Sequence, residues 1–149
     1  MIWILECLSR RSLRYLRFRL SIDGKTSESR CIGYYVWVDS DRFGKHTRDF
    51  FDLNWNLQPF TFKYGNSDII PDKPESFEDM VAVTMKLCKG FNHVRVDLFE
   101  CKGKVYFGEL TFTSEGGLAR FEPEEWDYKI GELWDINERI DDSFLKGDP

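Results

Sequence analysis

The sequence predicts an α+β domain, an antiparallel β-sheet with packed helices. Three observations carry that expectation. Two stretches read as antiparallel hairpins, and a segment between them has helical spacing with recognisable end signals. The 149 residues are 42% hydrophobic and 16% aromatic, with thirteen Phe and five Trp, which suffices to bury one core and excludes disorder over the whole chain.

Residues 1–8 are apolar but interrupted by Glu6 and followed by Arg10 and Arg11. Such a stretch is too short for a membrane span, and its charge order is the reverse of a signal peptide's. From Leu16, the residues Leu16, Phe18, Leu20 and Ile22 alternate with Arg17, Arg19 and Ser21, the period-two pattern of a half-buried strand. Asp23-Gly24 is a hairpin-turn signal, and a strand over 32–38 completes the pair. The five arginines between Arg10 and Arg19 read as a solvated strand face, with an anionic ligand as the alternative.

Residues 39–74 are rich in turn formers, among them Gly44, Asn54, Asn56, Gly65, Pro71 and Pro74, and predict a long, partly irregular segment. Phe77, Met80, Val81, Thr84, Leu87 and Cys88 then fall at helical spacing. Ser76 with Asp79 forms an approximate capping box and Gly90 supplies a stop, so the spacing predicts a helix over 77–89. Two β-rich runs, 94–100 and 104–113, are joined by Cys101-Lys102-Gly103 and predict a second hairpin. Ile130, Leu133, Trp134, Asn137 and Ile140 make one more amphipathic candidate before a polar tail at 141–149, which is expected to fray. No internal repeat or linker divides the chain, so residues 1–149 read as a single domain.

Charge and cysteines narrow the functional classes. A net charge of −5 argues against nucleic-acid binding, which normally shows as a basic excess. Cys7, Cys31, Cys88 and Cys101 form no CxxC pair, and His46 and His93 are too few to complete a zinc set. The scattered cysteines read as buried thiols of a reducing compartment, which points to the cytoplasm. His93 precedes a strand and reads as an edge histidine, while Trp37, Trp55, Trp126 and Trp134 read as core and rim packing.

The second hairpin holds the candidate chemistry. With a three-residue loop and a glycine bulge at Gly103, Glu100 faces Lys104, Asp97 faces Phe107 and Arg95 faces Glu109. Arg95, Asp97, Phe107 and Glu109 then share one face, and Asp97 and Glu109 are diagonal neighbours able to converge on a cation such as Mg²⁺. A two-residue loop shifts the register by one and puts Asp97 and Glu109 on opposite faces. An ordinary cross-strand ion pair between Arg95 and Glu109 is the competing reading.

The run Arg95-Val96-Asp97, followed by Val105-Tyr106-Phe107-Gly108-Glu109-Leu110-Thr111-Phe112-Thr113, resembles the carboxyl-terminal half of ATP-grasp ligases, specifically the TupA-like ATP-grasp family linked to bacterial surface-polysaccharide biosynthesis. Asp39-Ser40-Asp41-Arg42-Phe43, His46, Arg48, Phe51-Asp52, Trp55 and the block Lys73 to Met80 look like that family's blocks in order, covering about 38–136. The resemblance implies the carboxyl-terminal subdomain of the ATP-grasp fold and a carboxylate–amine ligase that works through an acyl phosphate, with ATP and Mg²⁺. It also implies roles: Asp97 and Glu109 hold the metal, with Thr111 standing where the general pattern has Asn. Arg95 stabilises the developing oxyanion or acyl phosphate, and His46 lies on the substrate side.

Ser114, Gly116 and Gly117 could present backbone N–H groups to a substrate carboxylate, or form a plain Gly-Gly turn. The resemblance leaves the adenine-binding amino-terminal half of such an enzyme unaccounted for, which suggests a truncated or frame-disturbed gene or a partner subunit that supplies it. The partners implied are ATP and a carboxylate and amine pair, free or glycan-linked. An inactive ATP-grasp fragment acting as an interaction module, and a polysaccharide-binding module, are the alternatives.

Overall fold

A computed structural model describes residues 14–23, 30–41, 44–89, 91 and 93–133, those up to residue 34 by their backbone alone. Five antiparallel strands form the main sheet. They are β1 (Arg14–Asp23), β2 (Arg30–Ser40), β3 (Thr47–Phe51), β5 (His93–Cys101) and β6 (Lys104–Thr111), in the spatial order β3-β2-β1-β5-β6. The short strands β4 (Thr61–Phe62) and β7 (Phe121–Glu122) make a second, two-stranded sheet. Two helices, α1 (Phe77–Leu87) and α2 (Glu125–Gly131), complete the α+β architecture that the sequence predicts.

Alternation along β2, β3 and β5 sends side chains into two cores, one on each face of the sheet. Val36, Val38, Phe51, Val94, Val96 and Leu98 pack against Phe77 and Met80 of α1. On the opposite face Trp37 and Phe50 pack with Phe60, Phe62, Phe121 and Ile130, edged by Tyr35 and Trp126. Coverage of both faces explains why Tyr35-Val36-Trp37-Val38 is continuously apolar or aromatic rather than alternating. Trp55 stacks on Phe51, with ring centroids 4.3 Å apart, and meets Phe77 edge-on at 5.1 Å. These contacts bear out the packing role expected of Trp37, Trp55 and Trp126.

The first hairpin forms as expected, with Leu16 opposite Val38 and Phe18 opposite Val36, and β1 pairs on its other edge with β5. Within 39–74 the expectation of irregular chain misses β3, whose five residues are all buried. Its Arg48 and Asp49 break any apolar pattern, yet both are satisfied locally: Arg48 binds Asp39, and Asp49 accepts from Asn66, Ser67 N–H and the Ser67 hydroxyl.

The helix starts at Phe77 as predicted, but the capping box does not form. The Ser76 hydroxyl donates to Glu100 Oε2 at 2.7 Å instead, tying the helix start to the end of β5. Thr84, buried in the helix, donates back to the Met80 carbonyl at 2.7 Å. Helix α2 contains Ile130 of the amphipathic candidate near the end of the chain; from residue 134 onward both the candidate and the tail lie outside the described residues.

Cys88 and Cys101 are buried as expected, yet each is engaged in a disulfide rather than held as a thiol. The cysteine-based reason for placing the chain in a reducing compartment therefore falls away. Among the described residues, no helix is long and apolar enough to cross a membrane.

The hairpin of β5 and β6 settles the register question in an unexpected way. Cys101 pairs with Lys104, so the turn has two residues, Lys102 and Gly103, at φ +52° and +70°. Taken alone, that turn would have separated Asp97 from Glu109. Between Asp97 and Leu98, however, the ladder slips by one residue: Leu98 pairs with Phe107 and Asp97 with Glu109, so Gly108 is the bulged residue. Asp97 therefore faces Glu109 rather than Phe107, Arg95 faces Thr111 rather than Glu109, and Glu100 faces Val105 rather than Lys104.

Glycine is needed at the bulge because a Cβ there would lie 2.6 Å from Phe99 Cε2 and 2.9 Å from the Asp97 carbonyl oxygen. Gly108→Ala is expected to cost about 1–3 kcal/mol by forced displacement of those neighbours. Urea unfolding measures the loss, and an unchanged midpoint would show that the bulge accommodates a methyl group.

Candidate functional site

On β5, Val94, Val96 and Leu98 face α1, and the residues between them, Arg95 and Asp97, point to the other face beside Trp37. Arg95 holds the cluster together. Its Nε donates to Asp97 Oδ1 at 2.7 Å and its Nη2 to Asp97 Oδ2 at 3.0 Å, a bidentate fork between side chains that are 6% and 0% exposed. Nη2 also reaches Glu109 Oε1 at 3.1 Å and Thr111 Oγ1 at 2.8 Å, and Nη1 donates to Ser114 Oγ at 3.1 Å. Thr111 Oγ1 in turn donates to Glu109 Oε1 at 3.2 Å.

Five of the residues singled out from sequence, Arg95, Asp97, Glu109, Thr111 and Ser114, thus belong to one hydrogen-bonded network. The bulge at Gly108 brings them together by placing Glu109 and Thr111 directly across from Asp97 and Arg95. Depth divides the two carboxylates: Asp97 is fully buried, whereas the Glu109 side chain is 59% exposed. Solvent reaches the cluster from the Glu109 side.

After β6 the chain makes a tight 3-10 turn, Ser114–Gly117, in which Glu115, Gly116 and Gly117 all have positive φ, at 51°, 63° and 75°. Gly116 and Gly117 make the turn possible. The turn is pinned from across the site by Lys63, whose Nζ donates to Glu115 Oε2 at 2.5 Å. That hydrogen bond to the Glu115 carboxylate holds the Lys63 ammonium above its ordinary pKa range.

His46 sits in a separate cluster on the same face. Its Nε2 lies 2.9 Å from Asp39 Oδ1, and Arg48 Nε donates to the same oxygen at 2.7 Å. Trp37 joins the two clusters, because the Arg48 and Arg95 guanidinium carbons lie 5.3 and 5.6 Å from its ring. By register, Arg17 of β1 stands between Trp37 and Asp97, and Arg19 between Tyr35 and Arg95.

The linking roles of Trp37, Arg48 and Lys63 were not foreseen from sequence. The available signal was the alternation of Tyr35, Trp37 and Asp39 with its continuation at Arg48 and Phe50, which becomes visible only once β3 is recognised as a strand.

The donor chemistry suits a hard divalent cation. Two carboxylates and a hydroxyl meet around Arg95, and Mg²⁺ is typically held by one or two carboxylates, with phosphate oxygens and water completing its shell. Among the described residues no group of three or more His, Cys, Asp or Glu side chains is arranged to hold a metal ion, so a cation here would draw part of its shell from a bound phosphate.

Comparison with known families identifies the chain's family. The family model described as TupA-like ATPgrasp matches residues 29–135. The chain belongs to the TupA-like ATP-grasp family. The matched span of the ATP-grasp chain runs from just before β2 to beyond α2, and so includes the Arg95 network and the His46 cluster, while β1 precedes it. ATP-grasp proteins generally bind ATP and Mg²⁺. No curated protein and no solved structure matches the chain.

Proposed function

We propose that this ATP-grasp chain serves as a carboxylate–amine ligase of bacterial surface-polysaccharide biosynthesis. One observation carries the reading: a buried arginine gathers two carboxylates, a threonine and a serine at the positions where the family resemblance puts a phosphoryl-transfer site.

In this reading Glu109, Asp97 and Thr111 hold Mg²⁺, with Glu109 the first to be reached from solvent. When bound, Mg²⁺ would neutralise charge on the ATP phosphates and orient them. Arg95 places its guanidinium against the transferred phosphoryl group and the oxygen that gains charge at the acyl carbon. Ser114, Gly116 and Gly117 offer backbone and hydroxyl donors to a substrate carboxylate, and the Lys63–Glu115 pair keeps that turn in place. The cytoplasm is proposed for this activity on its ATP supply alone, since the disulfides at Cys88 and Cys101 give no support to a reducing compartment.

A second reading, a binding module that keeps the fold without turnover, is favoured by the engagement of both Asp97 oxygens with Arg95. Isothermal titration of ATP with Mg²⁺ separates the two readings. Magnesium-dependent binding is expected in the wild type, with a weakening of about 10-fold or more in Glu109→Gln, the scale on which even groups that merely support a metal matter. Glu109 is exposed, so that variant is expected to fold; Asp97→Asn provides a second variant. Absence of binding in the wild type would rule out a ligase built from this chain alone and leave the binding module.

A further inference from the structure

The His46 cluster is not used by the phosphoryl chemistry, yet its geometry is specific. Asp39 and Arg48 have side chains 1% and 2% exposed, and the His46 side chain, at 17%, reaches the surface. An ionised carboxylate only accepts hydrogen bonds, so the nitrogen facing Asp39 Oδ1 at 2.9 Å must carry the proton, and that nitrogen is Nε2. In the neutral ring Nδ1 is then left with the lone pair, and it has no hydrogen-bond partner among the described residues. Tyr64 stacks against the imidazole at 3.9 Å and 30°, fixing its plane.

The cluster is tied to the Arg95 network on two sides. On one side, the Arg48 and Arg95 guanidinium groups both lie against Trp37. On the other, Lys63 Nζ lies 5.3 Å from the Tyr64 ring and pairs with Glu115, the residue next to the Arg95-bound Ser114. A purely architectural histidine would need only the Nε2–H donor. Here the ring also carries a second nitrogen with no hydrogen-bond partner among the described residues, in a cluster that shares Trp37 with the Arg95 network.

We propose that His46 is the proton acceptor for the amine nucleophile, with Asp39 fixing its tautomer and Arg48 neutralising Asp39. The inference rests on the ligase reading. The amine nitrogen attacks the acyl phosphate carbon and forms the C–N bond. The C–O bond to phosphate breaks, its electron pair leaves with the phosphate, and the amine proton passes to His46 Nδ1.

The first test needs no substrate. Long-range ¹⁵N–¹H correlation spectra of the ¹⁵N-labelled chain are expected to show neutral His46 protonated at Nε2, and protonation at Nδ1 instead would overturn the proposal. The second uses His46→Gln, whose amide can still donate to Asp39 but cannot act as a base. Mg²⁺, ATP and a panel of uronic and amino acids are supplied as carboxylates, with either glycinamide or hydroxylamine as nucleophile. Hydroxylamine is already neutral at neutral pH and does not depend on a base in the same way.

Amide formation is expected to fall about 100-fold more than hydroxamate formation in His46→Gln, the scale of general-base catalysis. An equal fall in both would make His46 structural and overturn the base role, and so would no fall in either. If the wild type forms neither product, the ligase reading fails and the base role fails with it, whatever the tautomer.

Discussion

Replacing Arg95 by leucine is expected to destabilise the fold by about 3–5 kcal/mol, the cost of leaving one member of a buried ion pair behind. Asp97 has no solvent exposure, and both of its oxygens are bound by Arg95. Taking away the guanidinium removes two charge-assisted hydrogen bonds from a carboxylate that water cannot reach, and partners from Glu109, Thr111 and Ser114 as well. Urea unfolding measures the effect, and Arg95→Leu combined with Asp97→Leu is expected to recover much of it, because the buried carboxylate is then removed together with its guanidinium. A single variant within about 1 kcal/mol of the wild type would mean that another cation compensates Asp97, with Arg17 the nearest arginine in the ladder.

Trp37→Ala should cost about as much by another route. The side chain is 1% exposed in the second core, and truncating a buried aromatic leaves a cavity worth about 3–5 kcal/mol. Two guanidinium groups also lose the ring that lies between them. Trp37→Phe is expected to cost about 1–2 kcal/mol, since it keeps an aromatic face and removes an indole N–H with no partner among the described residues. Denaturant midpoints of the two variants measure the difference. Equal losses would show that the contact with the arginines adds little beyond volume.

Much of the fold was legible because it rests on local pattern. The alternation from Leu16 to Ile22 gave β1, and the spacing from Phe77 to Leu87 gave α1. β3 was missed because Arg48 and Asp49 look like loop residues until Asp39 and Ser67 are brought to them by the tertiary structure. The Ser76 capping box failed for a similar reason, since Glu100 comes from a distant strand and takes the hydroxyl.

At the site, the residue types were readable and the geometry was not. Each of the two turn lengths weighed from sequence misses the pairing by itself; Asp97 meets Glu109 because a two-residue turn is followed by a one-residue slip at Gly108. Nothing in the residue pattern announces that slip except the glycine. The pairing of Lys63 with Glu115 joins residues 52 positions apart, beyond the reach of local reading.

The place of β1 in the sheet carries one more consequence. The family match begins at residue 29, yet the strand lying between β2 and β5 is Arg14–Asp23. The portion of the chain that carries the family signature is therefore not a self-sufficient folding unit. Excised at the family boundary, it would present two facing strand edges separated by the width of one missing strand, roughly 10 Å across two ladder spacings. Trp37 would lie on one side of that gap and Asp97 on the other. A strand that precedes the family match is thus the keystone that holds the family's site in register.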